Sequence, residues 1–523
     1  MHENKLSLGL WSLIALGMSS IIGSGWLFSA YKSAKYAAGG AMLVWLAGGI
    51  IILFLALVIA EIATFYHKRG LFGRVLAISH NKDMGYIPAM ANWFGIVATI
   101  PTEAMATVQY LAKAQPAWNH YFYINNSLTS TGLIIVTGLV FVYYLINFWG
   151  AKYLARSNNA ITLFKVLIPV ITALAILFAA FHPGNFVAEK NEFLPFGTTS
   201  IFTAIMSGGI IYAFNGFQSV ASFCSEAKNP ARDIPLALII SVILGLIIYL
   251  LLQAAFIGGI PPELLKDGWS HLSFQSPIVE LTSLLGLHVI SFLLYVDACI
   301  SPSGTGIVYT GATCRMLTAM SQEKQAPAYF DSLHPIYYFS RRSLTFNLFL
   351  ALSLLWFFPS WESLMVIVSL YHVVSYLACP IAMMRFRITE PDRKRPFKVP
   401  YAKIICPVLF VFITLLFCLT PQSSLVSVTL SLVFFYTMYI FISNQGKAAG
   451  MLKAFKQSYC LILYFIVLSG LGFLGNPKGG GFQLISNEVF YVFMTLTSLT
   501  FYYWLVYGSH GTPENYQVVH ATE

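Results

Sequence analysis

The sequence predicts an all-α integral membrane protein. Its expected core is an inverted repeat of ten helices, five plus five, with spans one and six discontinuous and about fourteen transmembrane helices in all. Three observations lead there. The 523 residues are 57% hydrophobic and only 10% charged, with mean hydropathy +0.72, against about 25% charged residues in a soluble protein. Apolar runs of roughly 20 residues, each able to cross a bilayer, recur along the chain. Two of them, the first and the sixth, carry glycine-rich interruptions at mid-depth: Gly23-Ser24-Gly25 and Asn215-Gly216. Interruptions in corresponding positions of two halves are the signature of inverted repeats.

The expected spans run at 8–36, 41–66, 85–112, 129–148, 158–181, 200–223, 236–258, 288–318, 343–359, 363–385, 403–420, 424–443, 458–475 and 489–508. The repeats would cover about 8–181 and 200–385. Residues 1–443 form the expected core of twelve spans, and 444–523 add two more. The 261–287 segment reads as an outer loop with short helices, and the first span as uncleaved.

Lys and Arg set the orientation. With both termini cytoplasmic, twenty-three of the thirty fall inside, six outside, and Lys165 alone within a span. The net charge of +10 therefore reflects topology and implies no nucleic-acid partner. The run Arg393-Lys394-Arg395-Pro396-Phe397-Lys398 is expected against anionic inner-leaflet lipid. Seven scattered cysteines form no CxxC pair, so disulfide, metal and redox chemistry are not expected. No phosphate-binding GxxxxGK[ST] loop is present. Neither a cofactor nor an enzymatic activity is expected, and an ion gradient would supply the energy.

At the first break, a lipid-facing helix would have no water to satisfy its loosened backbone. Irregular backbone at that depth belongs beside a cavity, where the positive end of a half-helix can hold a small anion. In the sixth span, Tyr212-Ala213-Phe214-Asn215-Gly216 contains two poor helix formers in succession. The alternative for either break is close helix packing through glycine.

Single residues follow in chain order. Glu61, at the inner end of span two, is expected to form an inner gate with Arg232 or with Lys68 and Arg69, or to be a solvated helix end. Glu103, after Pro101 in span three, is expected to face the pocket. There it could pair with a cationic substrate side chain, take up a proton and carry it inward, or form a structural hydrogen bond. Lys165 lies about eight residues into span five, and an ammonium at that depth faces the bundle interior. It could brace the broken span one, give up its proton during the cycle, or snorkel to the interface. Asp297 is placed toward the outer end of span eight, in a vestibule, packing or coupling role. The small residues Ser301 to Gly311 of that span suit close packing.

Ile22 to Phe28 resemble the first-span signature of the amino acid–polyamine–organocation superfamily. Glu226-Ala227-Lys228-Asn229-Pro230-Ala231-Arg232-Asp233-Ile234-Pro235 resembles its inner loop after span six. Asn147 to Gly150, Ala160 to Lys165 and Arg395 to Pro400 are similar to further family segments. Gly-Ser-Gly-Trp and the two C-terminal spans resemble the bacterial branch that includes aspartate–proton symporters.

The resemblance implies that Gly23, Ser24 and Gly25 receive a substrate carboxylate. Carbonyls near Ala213, Phe214, Asn215 and Gly216 would receive the α-ammonium. Tyr212 would be a gating aromatic, Tyr309 a pocket aromatic, and Lys165 a stand-in for the sodium ion of coupled relatives. Gln218 stands where some relatives have a glutamate, a departure from their coupling pattern. The expected function is proton-coupled symport of an acidic or other amino acid across the cytoplasmic membrane. Alternatives are exchange of a basic amino acid or polyamine for its product, and a non-transporting receptor. Expected partners are the amino acid, protons and membrane lipid, with a homo-oligomer left open.

Overall fold

The computed structural model of the chain describes residues 8–66, 71–124, 127–149, 152–190, 192–334, 339–475 and 480–508. Helix lies on every stretch expected to span. Among the described residues, nine helices are long and apolar enough to cross a membrane, and one further pair qualifies together across a 54° bend. Large apolar side chains such as Trp11, Phe178 and Phe357 point outward, as a lipid-facing surface requires. The 261–287 segment is a loop of two 3-10 turns and the short helix Pro277–Leu284.

Span one is two helices, Leu10–Ile21 and Gly25–Ala37. Ile22 is extended, with φ −85° and ψ 90°, and the chain re-enters helix at Gly25. Span six breaks twice. Thr199–Ser207 ends at Gly208, a short turn covers Ile210–Phe214, and the inner half, Phe217–Glu226, is a 3-10 helix. The expected break at Asn215-Gly216 is therefore one of two. Gly209 (φ 83°) and Gly216 (φ 103°) take left-handed conformations that cost a glycine nothing. A ten-residue 3-10 helix is long for that geometry, whose side chains eclipse every third residue.

Span three, Lys82–Ala114, and span eight, His288–Gln322, are long helices packed along one another, and span ten, Trp361–Thr389, lies against span three. Span five, Lys152–Ala179, and span seven, Pro230–Gly259, both flank the first half of span one. Gln253 of span seven pins two neighbours: it accepts from the Trp45 indole at 2.8 Å and donates to the Ala30 carbonyl at 3.0 Å. Such a satisfied buried amide holds spans one, two and seven as a unit. At the start of span one, Leu8 pairs with the loop after span six through Leu8 N to Glu226 O (2.7 Å) and Lys228 N to Leu8 O (2.9 Å).

The last two helices, Ala448–Gly475 and Asn487–Tyr507, pack on the same chain. The end of the final helix is met by the core. Arg385 donates to the Val506 carbonyl at 3.0 Å, and His80 lies 2.9 Å from the Leu505 carbonyl.

Candidate functional site

The two breaks meet at Gly25 and Ala213. A Cβ on Gly25 would stand 2.8 Å from the Ala213 Cα, so only glycine allows this approach. Gly23 has a different neighbour: its Cβ would lie 2.7 Å from Glu103 Oε1. Tyr249 of span seven joins the two breaks from behind, its hydroxyl donating to the carbonyls of Ala213 (2.8 Å) and Ile21 (3.2 Å).

Glu103 is buried at the start of the second half of span one. Its Oε2 accepts the Ser24 N–H at 2.8 Å and its Oε1 accepts the Tyr212 hydroxyl at 2.8 Å. The first N–H groups of a helix have no partner within it, and the dipole favours an anion there. The rest of the network follows from hydrogen count. With the Tyr212 proton on Glu103, Ser24 Oγ donates to Tyr212 (3.0 Å) and accepts from the Trp361 indole (3.2 Å). The donors thus run from Trp361 through Ser24 and Tyr212 to Glu103. In this order both carboxylate oxygens accept.

Beside this network lies a cavity of about 10 Å³, room for about one water. Gly23, Gly25, Glu103, Tyr212, Asn215 and Tyr309 line it, with Ser20, Ile21, Thr99 and Thr305. Ser24 stands behind Tyr212. Phe214 turns its ring toward Trp45 and Tyr249. Gly216 is packed on the Ser20 carbonyl, 2.5 Å from where its Cβ would be.

The cavity is covered on both sides. On one side Trp361 stacks on Phe28, with centroids 4.3 Å apart, and meets Tyr212 edge-on at 5.5 Å. Lys32 pairs with Glu362 beyond it. On the other side, Tyr309 donates to the Ser20 carbonyl at 3.4 Å and Ser219 to the Ser20 hydroxyl at 3.0 Å. Gln218 binds Asn215 and the Gly216 N–H. Trp361 was not foreseen, because one tryptophan among ten in an apolar chain gives no signal of its own.

Lys165 is 2% exposed. Its ammonium donates to the Ser19 carbonyl of span one (3.2 Å) and to Thr305 Oγ1 of span eight (2.8 Å). A cation therefore sits where the first half-helix of span one ends, the favourable end of its dipole. Asp297 does not open on an outer vestibule. It is fully buried and accepts from Ser301 at 2.5 Å. Ser301, through its carbonyl, in turn accepts from Thr305 at 3.1 Å. Successive steps of four residues keep Asp297, Ser301 and Thr305 on one face of span eight, leading to Lys165.

Glu61 is also fully buried, but its expected partner is corrected. Arg232 is exposed after span six, and Lys68 and Arg69 lie outside the described residues. Glu61 instead binds Arg387 of span ten in bidentate fashion (2.8 and 2.6 Å) and accepts the Val399 N–H at 2.7 Å. Arg395 approaches to 3.6 Å. The basic run after span ten is accordingly folded onto the protein in part. Arg395 donates to the Phe386 and Glu390 carbonyls, and Arg393 lies over Tyr66. Arg393, Lys394 and Lys398 remain exposed.

Residues 8–443 match a family described as amino acid permease. The chain is 35% identical over 515 residues to the glutamate/serine transporter AimA of Bacillus subtilis (strain 168), covering 98% of this chain and 95% of that one. It is 32% identical over 507 residues to the aspartate-proton symporter of the same organism, covering 96% of each. Among solved structures, a mutant of the Eremococcus coleocola manganese transporter superposes with TM-score 0.55 at 12% identity, covering 91% of this chain and 99% of that one. At that identity the likeness is one of fold.

Proposed function

The chain belongs to the amino acid permease family of the amino acid–polyamine–organocation superfamily, and from that premise we propose that it is a secondary active transporter carrying an acidic or small polar amino acid inward with protons by alternating access. The observation that carries this reading is the meeting of two broken spans around a covered cavity, with Gly23, Gly25 and Glu103 on its wall and Glu103 holding the Ser24 N–H at a half-helix N-terminus. The names of the two Bacillus relatives, a glutamate/serine transporter and an aspartate-proton symporter, support the substrate class.

In this reading Gly23, Ser24 and Gly25 take the substrate carboxylate, and the chain from Ala213 to Gly216 takes the ammonium. Tyr212 and Trp361 close over the substrate from outside, and Tyr309 from inside. The units that rock are spans one, two, six and seven against three, four, eight and nine. Lys165 couples span one to span eight, and the Glu61–Arg387 clamp gates the inner side. The membrane is the bacterial cytoplasmic one, with both termini inside. Exchange of a basic amino acid is less well supported, because both Glu103 oxygens are engaged by donors from the protein and not turned toward a substrate side chain.

Purified full-length protein in lipid vesicles tests the proposal. Labelled aspartate, glutamate, serine, arginine and lysine are offered with and without an inwardly directed proton gradient. Gradient-driven uptake of the first three is expected. Gradient-independent exchange confined to arginine and lysine would overturn it.

A further inference from the structure

The Glu103 carboxylate holds the contacts that an incoming carboxylate would need. It takes the Ser24 N–H at the start of the second half of span one, and the hydroxyl of Tyr212 across the break in span six. The Gly23 backbone is pressed against it, so that a Cβ there would displace the carboxylate. The cavity left beside it, about 10 Å³, admits about one water, far less than an amino acid. Two carboxylates at contact distance cannot both be charged there without strong repulsion. A substrate can therefore reach Ser24 only when Glu103 vacates it.

We propose that Glu103 is an intrinsic occupant of the substrate carboxylate's seat, released by taking up a proton, so that each bound amino acid brings one proton with it. The inference rests on the transport reading above and deepens it. Protonation forms an O–H bond on one carboxylate oxygen, which becomes a donor and a weaker acceptor, so the hold on the Ser24 N–H and the Tyr212 hydroxyl weakens and the charge attraction to the helix end is lost. The substrate carboxylate then supplies the anion. On the return, proton and substrate leave, and ionised Glu103 again fills the seat. The empty carrier thus closes on an anion of its own, which keeps Ser24 and Tyr212 satisfied without substrate.

Other ionisable groups surround Glu103 from each neighbouring element. They are Lys165 of span five, Asp297 and Tyr309 of span eight, Tyr143 of span four, Tyr212 of span six and Tyr249 of span seven. His372 of span ten packs against Gly95, eight residues before Glu103 on span three. None of these donates to or accepts from Glu103 except Tyr212, so the proton that frees the seat is assigned to the carboxylate itself.

The test measures equilibrium binding of aspartate and serine to the purified full-length protein between pH 5.5 and 8.5. In the wild type Kd should rise toward tenfold per pH unit on the alkaline side, the limit for one linked proton. Glu103→Gln, neutral at every pH, should flatten that slope. It should also bind about tenfold or more tightly than wild type at pH 8.5, where the wild-type seat is blocked. Glu103→Ala, which empties the seat, should behave the same way. A residue that binds substrate or merely packs would instead weaken binding at every pH when replaced. Variants that keep the wild-type slope, or that bind more weakly throughout, would overturn the inference and leave the transport reading standing. Wild-type protein that binds and transports none of the tested amino acids would overturn the transport reading itself.

Discussion

Gly25 of span one and Ala213 of span six touch backbone to backbone: a methyl group on the glycine would sit 2.8 Å from the alanine Cα and 3.0 Å from its Cβ. The contact is where the two broken spans come closest at their breaks, which suits a hinge in the proposed alternating-access cycle, and no flexible side chain lies between them to give way.

Gly25→Ala should therefore lower stability more than Gly23→Ala does, although both lie in one tripeptide. At Gly23 the added methyl meets the end of the Glu103 side chain, which can swing aside. At Gly25 it meets backbone, and overpacking of that kind costs about 1–3 kcal/mol. Melting of the two variants in detergent, with vesicle uptake alongside, checks the order. A Gly25→Ala protein as stable and active as the wild type would remove the hinge assignment.

Lys165→Met keeps an unbranched side chain, one atom shorter, and removes the charge. It takes away the donor that the Ser19 carbonyl and Thr305 Oγ1 share, at the end of a half-helix where a cation is favoured. Proton-driven uptake should fall at least about tenfold, corresponding to about 1.4 kcal/mol. Uptake at the wild-type rate, with the wild-type pH dependence, would reduce Lys165 to a packing role.

Parts of this arrangement were legible in the sequence, and the reasons differ from residue to residue. Gly23-Ser24-Gly25 stood out because a break in an apolar span has few explanations, and the buried charge of Lys165 was visible for the same reason. Glu103 could be assigned a depth and a face but no partner, since its contacts to Ser24 and Tyr212 lie 79 and 109 residues away. Glu61 was given the wrong partner on the same ground: Arg387 is 326 residues distant. Asp297 was placed by counting along the helix axis, which fixes height and not which way the side chain turns. The second break of span six leaves a trace in the sequence, Ser207-Gly208-Gly209, but a glycine pair in a membrane helix equally suits close packing. The basic run 393–398 looked uniform because charge along a chain does not reveal which cations find a carbonyl.

The Glu61–Arg387 clamp should be tightly coupled. Removing one partner of a buried ion pair strands the other, at about 3–5 kcal/mol. Glu61→Ala and Arg387→Ala should each destabilise strongly, and the double variant should lose much less than the sum of the two. Arg232→Ala, at an exposed site, should stay within about 0.5 kcal/mol of the wild type. Melting temperatures of the four proteins form the cycle. Additive losses at Glu61 and Arg387 would show that the pair does not act as a clamp.

Trp361→Ala should unseal the outer side. The indole stacks on Phe28, meets Tyr212 edge-on and donates to Ser24 Oγ, so its loss removes both the cover and the first donor of the chain that ends on Glu103. An aromatic pair contributes about 0.5–1.5 kcal/mol beyond its buried area, and the hydrogen bond about another 1 kcal/mol. Together these correspond to roughly tenfold or more in the closed–open equilibrium. A cysteine introduced at Thr99, on the cavity wall, reads the change directly. In an otherwise wild-type chain it should react slowly with a membrane-impermeant thiol reagent added outside. In the Trp361→Ala background it should react about tenfold faster, and substrate should slow it again by refilling the cavity. Seven native cysteines require the comparison to be made against the chain without the Thr99→Cys change. Equal labelling in the two backgrounds would show that Trp361 is not the outer cover.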